Sequence, residues 1–144
     1  MATAFDVAAY ILRNKGQMTA MKLQKLLYYA QAWSLVWDEQ PLFDNTIQAW
    51  ANGPVVPAVY NYHRGRYFVD VKDFAFAKPD ELEPEQRATI DAVLRHYGDR
   101  SAQWLIDLTH AEEPWKQARK GLGPGERGNS EITLAAMAEY YSGL

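Results

Sequence analysis

The strongest candidate for acid–base chemistry in this 144-residue chain is His110-Ala111-Glu112-Glu113, where an imidazole precedes two carboxylates. Such groups can exchange protons near neutral pH. The same pattern fits a junction of two helices, because His favours the negative end of one helix and Glu the positive end of the next. We favour the junction, since no serine is matched to His110 as a nucleophile. We therefore predict that the protein is not an enzyme.

Two further patterns in the sequence could indicate a cofactor or metal site. Residues 123–128 fit the letters G-x-G-x-x-G of a dinucleotide-binding loop. That loop needs an entering strand and free backbone amides, whereas the preceding segment reads as helix and Pro124 has no amide hydrogen. The three histidines share no metal-ligand spacing and the chain has no cysteine. We predict neither a metal nor a cofactor.

Aromatic and arginine side chains concentrate around a predicted turn at Gly53-Pro54. Tyr, Trp and Arg dominate protein–protein hot spots because they bury a large area while fixing few torsions. Trp50 has an alternative role, which we prefer, as a core residue that anchors the turn. The predicted partner-binding residues are Trp50, Tyr60, Tyr62, Arg64, Arg66 and Tyr67.

Composition limits the classes of partner. Hydrophobic residues make up 48% of the chain, enough for one domain with a substantial core. The net charge is −3, from 18 acidic and 15 basic residues, so we do not expect this chain alone to bind nucleic acid. Its first ten residues lack a basic segment followed by an apolar run, and we find no apolar stretch of about 18 residues. We predict a cytoplasmic protein without a membrane partner.

The elements that position these residues are organised around a long helix predicted from Thr19 to Trp37. Two adjacent apolar rows run along it at helical spacing. Such a wide stripe predicts a helix covered on more than one side. Lys25 lies outside both rows and, if exposed, its replacement by alanine would change stability by about 0.5 kcal/mol or less. The rows are Leu23, Leu27, Ala30, Ser34 and Trp37, and Leu26, Tyr29, Trp33 and Val36.

A shorter helix precedes the long one. Thr3 can cap it and Gly16 can end it, and the short connection predicts that the two helices pack together. The pair resembles a DNA-binding helix-turn-helix, with Lys22, Gln24 and Lys25 at the groove. We favour a core hairpin, because a recognition helix needs one free polar face.

The later segments add short elements to a mainly α fold. Ile47–Trp50 fits either a helical turn or an extended piece, and a short helix follows Val55. Residues 66–78 alternate loosely, which fits a β-hairpin or an extended loop. Further helices begin near Pro84 and Ser101, and one closes the chain from Thr133 to Ser142. Together these elements predict a compact helical bundle around the long helix, forming one domain over residues 1–144.

Several of these segments resemble the signature of the Panacea domain, in the same order and at the same spacing. That family includes phage-associated proteins of the GepA type and SocA-like antitoxins. The closing helix, with Met137, Tyr140 and Tyr141, resembles the family as well, so the likeness covers about the whole chain. The matching segments are Lys22 to Tyr29, Pro41-Leu42-Phe43, Ala49-Trp50, Gly53-Pro54-Val55-Val56-Pro57 with Tyr60, and Glu113-Pro114-Trp115.

The resemblance implies an antitoxin that binds and neutralises a cognate protein toxin, encoded by an adjacent gene. It also allows an adaptor mechanism, in which the antitoxin presents its toxin to a cellular protease. Many family members carry an added N-terminal domain, sometimes DNA-binding, whereas here the motif region starts almost at once. A DNA-binding regulator and a phage-encoded host-interaction protein are the alternatives.

Overall fold

The computed structural model describes residues 2–144 and is mainly helical, as predicted. Met1, the first residue of the predicted domain, lies outside the described residues. The helices are α1 (Ala4–Lys15), α2 (Ala20–Trp37), α3 (Pro57–His63), α4 (Pro84–Tyr97), α5 (Ala102–Ala111), α6 (Glu113–Ala118) and α7 (Leu134–Ser142), with 3-10 helices at Val71–Phe74 and Pro79–Glu81. The strands are β1 (Met18–Thr19), β2 (Ile47–Trp50), β3 (Gly53–Val55), β4 (Phe68–Val69) and β5 (Glu131–Ile132).

The helix boundaries follow the caps read from the sequence. The Thr3 hydroxyl accepts from the amide of Asp6, whose carboxylate accepts in return from the Thr3 amide, a reciprocal capping box. Gly16 ends α1 with a φ of 82°, a conformation that glycine adopts without steric cost. Thr19 caps α2 at the amide of Lys22, 3.1 Å away. Ser101 and Thr133 cap α5 and α7 in the same way.

Helix α2 packs against α1, α4, α5, α7 and β3. Every residue from Leu23 to Ala32 is buried, and this includes three polar residues as well as the first members of both apolar rows. Trp33 and Val36, later in the second row, are half-buried. Lys25 is only 1% exposed, so the surface position considered for it is wrong. Trp37 is 50% exposed although it was assigned to an apolar row. It is the last residue of α2, and one face of its ring stacks on Trp33.

The polar residues of α2 fix the segments that cross it. The Gln31 side chain is fully buried, and its amide oxygen accepts from the Leu42 amide at 2.7 Å. Its amide nitrogen donates to the Phe43 carbonyl at 2.8 Å. One side chain thus satisfies backbone groups of both Leu42 and Phe43, which explains how this irregular segment can be buried.

A cluster of tyrosines links α2 to the C-terminal helices. The Tyr29 ring stacks on Tyr97 with centroids 4.3 Å apart. The hydroxyls of Tyr29 and Tyr141 each donate to the buried Glu112 carboxylate at 2.7 Å. Tyr141 also lies 3.0 Å from the Tyr28 hydroxyl. Burial raises the pKa of Glu112, and the two hydroxyl donors oppose that shift.

The three-stranded sheet has the order β3-β2-β5 and is antiparallel. Gln48 pairs with Val55 on one side and with Glu131 on the other. Residues 47–50 are therefore extended, which decides between the two predicted conformations. The turn predicted at Gly53-Pro54 lies two residues earlier, at residues 51–52, because Gly53 and Pro54 already pair with β2.

The predicted hairpin over residues 66–78 does not form. Its single strand, β4, instead pairs antiparallel with β1, with Met18 opposite Val69. Asp70 then caps the 3-10 helix Val71–Phe74 and turns the chain away before a second strand could begin. The aromatic alternation that predicted a hairpin arises from one short strand followed by a helical turn.

Within residues 2–144, no helix combines the length and the apolar character that a bilayer crossing requires.

Candidate partner-binding surface

Both ends of α3 are attached to Gln24 of α2. The amide of Val56, just before α3, donates to the Gln24 side-chain oxygen at 2.8 Å. At the other end, His63 Nε2 lies 2.9 Å from the Gln24 amide nitrogen. The amide donor makes Nε2 the acceptor, so the neutral ring carries its proton on Nδ1. Burial lowers the pKa of His63, which favours this neutral form.

Lys25 holds the β2–β3 hairpin that precedes α3. Its ammonium nitrogen donates to the Pro54 carbonyl at 3.0 Å. Burial lowers the pKa of Lys25 to about 7. Gly53 has a φ of 116°, and a Cβ at this position would lie 2.6 Å from Lys25 Cε. The lysine stem therefore occupies space that only glycine leaves free.

Trp50, the last residue of β2, and Tyr60, in the middle of α3, form a half-buried pair. Their ring centroids lie 4.7 Å apart in an edge-to-face arrangement. The Trp50 indole donates to the Gln48 side chain, and the Trp50 carbonyl accepts from the Trp115 indole at 2.8 Å. Trp50 thus ties the hairpin to α6, consistent with an anchoring role.

Tyr62 belongs to a separate cluster of four aromatic rings, with Phe5, Phe74 and Phe76. The Tyr62 ring is 4.9 Å from Phe76, 5.4 Å from Phe74 and 6.0 Å from Phe5. Phe74 is buried beneath the others, whereas Tyr62 is 48% exposed and Phe76 is 53% exposed. A large part of two aromatic rings therefore faces solvent from a packed base.

The remaining predicted residues lie on the loop after α3. Arg64, Arg66 and Tyr67 are all exposed. The Arg66 guanidinium forms an ion pair with Asp73. The Tyr67 ring packs edge-on against the Phe68 ring, with centroids 4.8 Å apart. The backbone carbonyl of Tyr67 accepts from the Ala20 amide, which fixes the loop to the start of α2.

The six predicted residues thus form two groups. Trp50 on β2 packs against Tyr60 in the middle of α3, and the other four lie at the end of α3 and on the loop after it. Sequence reasoning did not assign Phe68 and Phe76 to the site. Their alternation with buried Val69 and Phe74 is visible in the sequence, but Phe68 lies on β4, which pairs with β1, and Phe76 follows the 3-10 helix Val71–Phe74. We name this face the aromatic–cationic surface, and it consists of Tyr62, Arg64, Arg66, Tyr67, Phe68 and Phe76.

The residues considered for catalysis have separate partners. The His110 ring stacks on Trp115 with centroids 3.9 Å apart, and burial lowers the pKa of His110. Glu112 accepts from two tyrosines, whereas exposed Glu113 pairs with Lys116 at 3.2 Å. Among residues 2–144, no group of three or more His, Asp or Glu side chains could hold a metal ion.

The G-x-G-x-x-G segment lies in a loop rather than between a strand and a helix. It follows α6, and the buried Arg119 donates to the carbonyls of Gly123 and Glu126. The side chain of Glu126 accepts from the Gly123 amide. This loop is therefore closed on itself by an arginine, and its geometry differs from that of a dinucleotide-binding turn.

Residues 23–116, from α2 to α6, match the family described as Antitoxin SocA-like, Panacea domain. The chain belongs to this family. The Panacea match includes Gln24 and Lys25 together with the Gly53–Pro57 segment that they hold, so these motif residues form a buried polar framework. Helices α1 and α7 and strand β5 lie outside the matched range.

A relative named Antitoxin SocA, from Caulobacter vibrioides (strain NA1000 / CB15N), is 32% identical to this Panacea protein over 114 residues. The matched region covers 72% of this chain and 61% of the relative, so this chain spans about three fifths of the relative's length. No solved structure matches the chain at a significant level.

Proposed function

We propose that this Panacea protein is a non-catalytic antitoxin of the cytoplasm, which binds and neutralises a cognate protein toxin by direct contact. The observation that carries the proposal is membership of the SocA-like family, supported by a relative named as an antitoxin. We also propose that residues 1–144 act as one domain and that an adjacent gene encodes the toxin.

The contact face in this proposal is the aromatic–cationic surface. Arg64 is exposed, and Tyr67, which is 73% exposed, is the most accessible of the aromatic members. The segment that carries them is fixed at both ends. The His63 side chain is hydrogen-bonded to Gln24, and the Tyr67 carbonyl accepts from the Ala20 amide. A preorganised surface of this kind loses little conformational entropy on binding, which favours affinity.

Trp50 and Tyr60 have a supporting role in this proposal. Both rings are half-buried and packed against each other, and Trp50 also contacts Gln48 and Trp115. They hold the hairpin and the start of α3, and so fix the position from which the more exposed residues project.

Growth rescue tests the proposal. Expression of the adjacent reading frame should arrest growth, co-expression of this protein should restore it, and the two proteins should co-purify. The double variant Arg64→Ala/Tyr67→Ala should weaken binding by about 30-fold or more, the effect of losing one hot spot of about 2 kcal/mol.

The matched control is Arg100→Ala/Trp104→Ala. It removes an arginine and an exposed aromatic residue that pack on each other at 4.4 Å on another face. The control should rescue growth as the wild type does, and both variants should keep melting temperatures within a few degrees. Full rescue by a folded Arg64→Ala/Tyr67→Ala variant would remove this surface from the proposal.

The adaptor mechanism is a different route to neutralisation. Under it, the toxin would be degraded rather than held in a complex. Toxin half-life measured with and without this protein, in cells with and without the protease, separates the routes. Under direct neutralisation, toxin abundance stays constant while growth recovers.

A further inference from the structure

The carboxylates around the aromatic–cationic surface are occupied by backbone amides. Asp70 accepts from the Lys72 amide at 2.8 Å, and Asp73 accepts from the Asp70 amide at 2.9 Å while it pairs with Arg66. The Asp73 side chain is only 18% exposed. On neighbouring α1, the carboxylate of Asp6 accepts from the amides of Thr3 and Lys78.

The basic side chains of the same region, in contrast, are exposed. Arg64 and Lys72 are exposed, and the Arg66 side chain is 55% exposed despite its ion pair. Residues 62–78 carry four basic and two acidic residues, a net charge of +2, in a chain whose net charge is −3. Arg66 pairs with Asp73, and Lys78 lies 3.8 Å from Glu81, just beyond this segment. Within residues 2–144, Arg64 and Lys72 form no ion pair, so these two are left for solvent or a partner.

Exposed aromatic rings lie between these basic groups. Phe68 and Phe76 are each 53% exposed. Exposed rings and exposed basic residues in one short segment fit an apolar anchor flanked by carboxylates, because Arg pairs with carboxylates in a bidentate geometry.

We propose that the aromatic–cationic surface recognises an acidic segment of a partner protein that carries an apolar or aromatic anchor residue. The inference rests on the proposed function, since it names the chemistry of the toxin segment that this face takes. The complementary charges also accelerate association, because they steer the diffusional encounter.

Other occupants fit the same face less well. Duplex DNA binding involves about 6–10 phosphate contacts, and this face offers three or four basic side chains. Recognition of anionic membranes uses clusters of about 4–8 Lys and Arg, without carboxylates among them. A second copy of the chain would bring a positive face against itself, because a two-fold interface is self-complementary.

The test uses the full chain and a defined probe, a random copolymer of glutamate and tyrosine, with binding followed by fluorescence anisotropy. Binding should weaken at least tenfold between about 50 mM and about 500 mM salt, because screening shortens the range of the charges. A copolymer of lysine and tyrosine should bind at least tenfold more weakly.

Two pairs of variants locate the site. Arg64→Glu/Lys72→Glu should weaken binding at least tenfold, whereas Arg95→Glu/Lys120→Glu, with the same change in net charge at exposed positions elsewhere, should not. Phe76→Ser should weaken binding several-fold, whereas Leu134→Ser, which replaces another exposed apolar residue, should not.

Equal losses in the two charge variants, or equal binding of the two copolymers, would overturn the inference. The inference would also be wrong if polyuridylate or phosphatidylserine vesicles bound more tightly than the glutamate–tyrosine copolymer and if Arg64→Glu/Lys72→Glu abolished that binding. A dimer in sedimentation analysis that Phe76→Ser abolishes would overturn it as well. If growth rescue fails while the copolymer results hold, the proposed function is wrong and the acidic-segment site remains. If the protein rescues growth but Arg64→Glu/Lys72→Glu leaves copolymer binding unchanged, only this inference is wrong.

Discussion

Lys25 is the residue whose environment departs furthest from what its type predicts. Its stem passes under Gly53 and its ammonium group meets a backbone carbonyl rather than a carboxylate. A buried ammonium group without an acidic partner loses hydration energy, and the pKa falls to about 7 for that reason. Stability should therefore depend on pH.

Between the folded pKa of about 7 and the ordinary value of 10.5, the unfolded chain binds a proton at Lys25 that the folded protein does not. The free energy of unfolding should then rise with pH, by at most about 1.4 kcal/mol per pH unit. Urea denaturation between about pH 7.5 and 8.5 measures this slope. Above that range the unfolded tyrosines lose protons, whereas burial raises the pKa of Tyr28 and Tyr29 above the ordinary value of 10, which opposes the slope. Lys25→Met, which keeps the stem volume without the charge, should flatten it.

Lys116→Met, at an exposed position, serves as the control and should leave the slope unchanged. A slope that persists in Lys25→Met would assign the pH dependence to another group. The histidines do not interfere, because burial lowers the pKa of His63 and of His110 from 6.5, below this window.

Gly53 gives a second test at the residue scale. Gly53→Ala should destabilise the protein because of both a positive φ and the 2.6 Å approach to Lys25 Cε. Gly121→Ala is the matched control, since Gly121 has a φ of 94° with no atom within 4 Å of the added Cβ. The control should cost about 1–2 kcal/mol from the backbone alone. Gly53→Ala should cost about 1–3 kcal/mol more, and equal losses in denaturation would contradict the steric account.

At the scale of elements, α2 is the test case. Leu27 is fully buried on this helix, so Leu27→Ala should lower the free energy of unfolding by about 2–5 kcal/mol, through lost burial and a cavity. Met21→Ala on the same helix is the control, because Met21 is 39% exposed. Chemical denaturation of both variants measures the difference, and similar small losses would show that the buried face is misassigned.

The helices were predictable because their signals are local. Thr3, Thr19 and Ser101 are caps that act within three residues of themselves, and the apolar rows of α2 continue from Leu23 to the last residue of this 18-residue helix. Strands β1 and β4 contain two residues each, and β4 pairs with a segment about 50 residues earlier. A pattern that short carries no periodicity, so the pairing could not be predicted.

At the scale of the whole molecule, the protein should bind duplex DNA only weakly. Its net charge is −3, and Gln24 and Lys25 of the helix-turn-helix-like pair are buried. The dissociation constant should be about 10⁻⁴–10⁻⁶ M at physiological salt, as for non-specific binding. Titration against duplexes of the upstream region and of a scrambled sequence measures this, and nanomolar selective binding would support the regulator alternative.

The location of the candidate surface was predictable in part. Residue types identified Tyr62, Arg64, Arg66 and Tyr67, and all four lie together on the exposed end of α3 and its loop. The separation of Trp50 and Tyr60 from that group could not be read from the sequence, because it depends on the β2–β3 hairpin and on the Trp115 contact. Which of these residues touch a partner stays a prediction.

During synthesis, α2 is made well before α7, the helix that covers part of it. Met137 and Tyr141 are buried in the core and lie about 100 residues after the end of α2. At a synthesis rate of about 5–20 residues per second, the ribosome adds them about 5–20 s later. Throughout that interval one flank of α2 has no covering helix, and β2 lacks its β5 neighbour. In a nascent chain, that flank of α2 therefore stays uncovered until α7 has been made, and the core can close only after Tyr141 has left the ribosome.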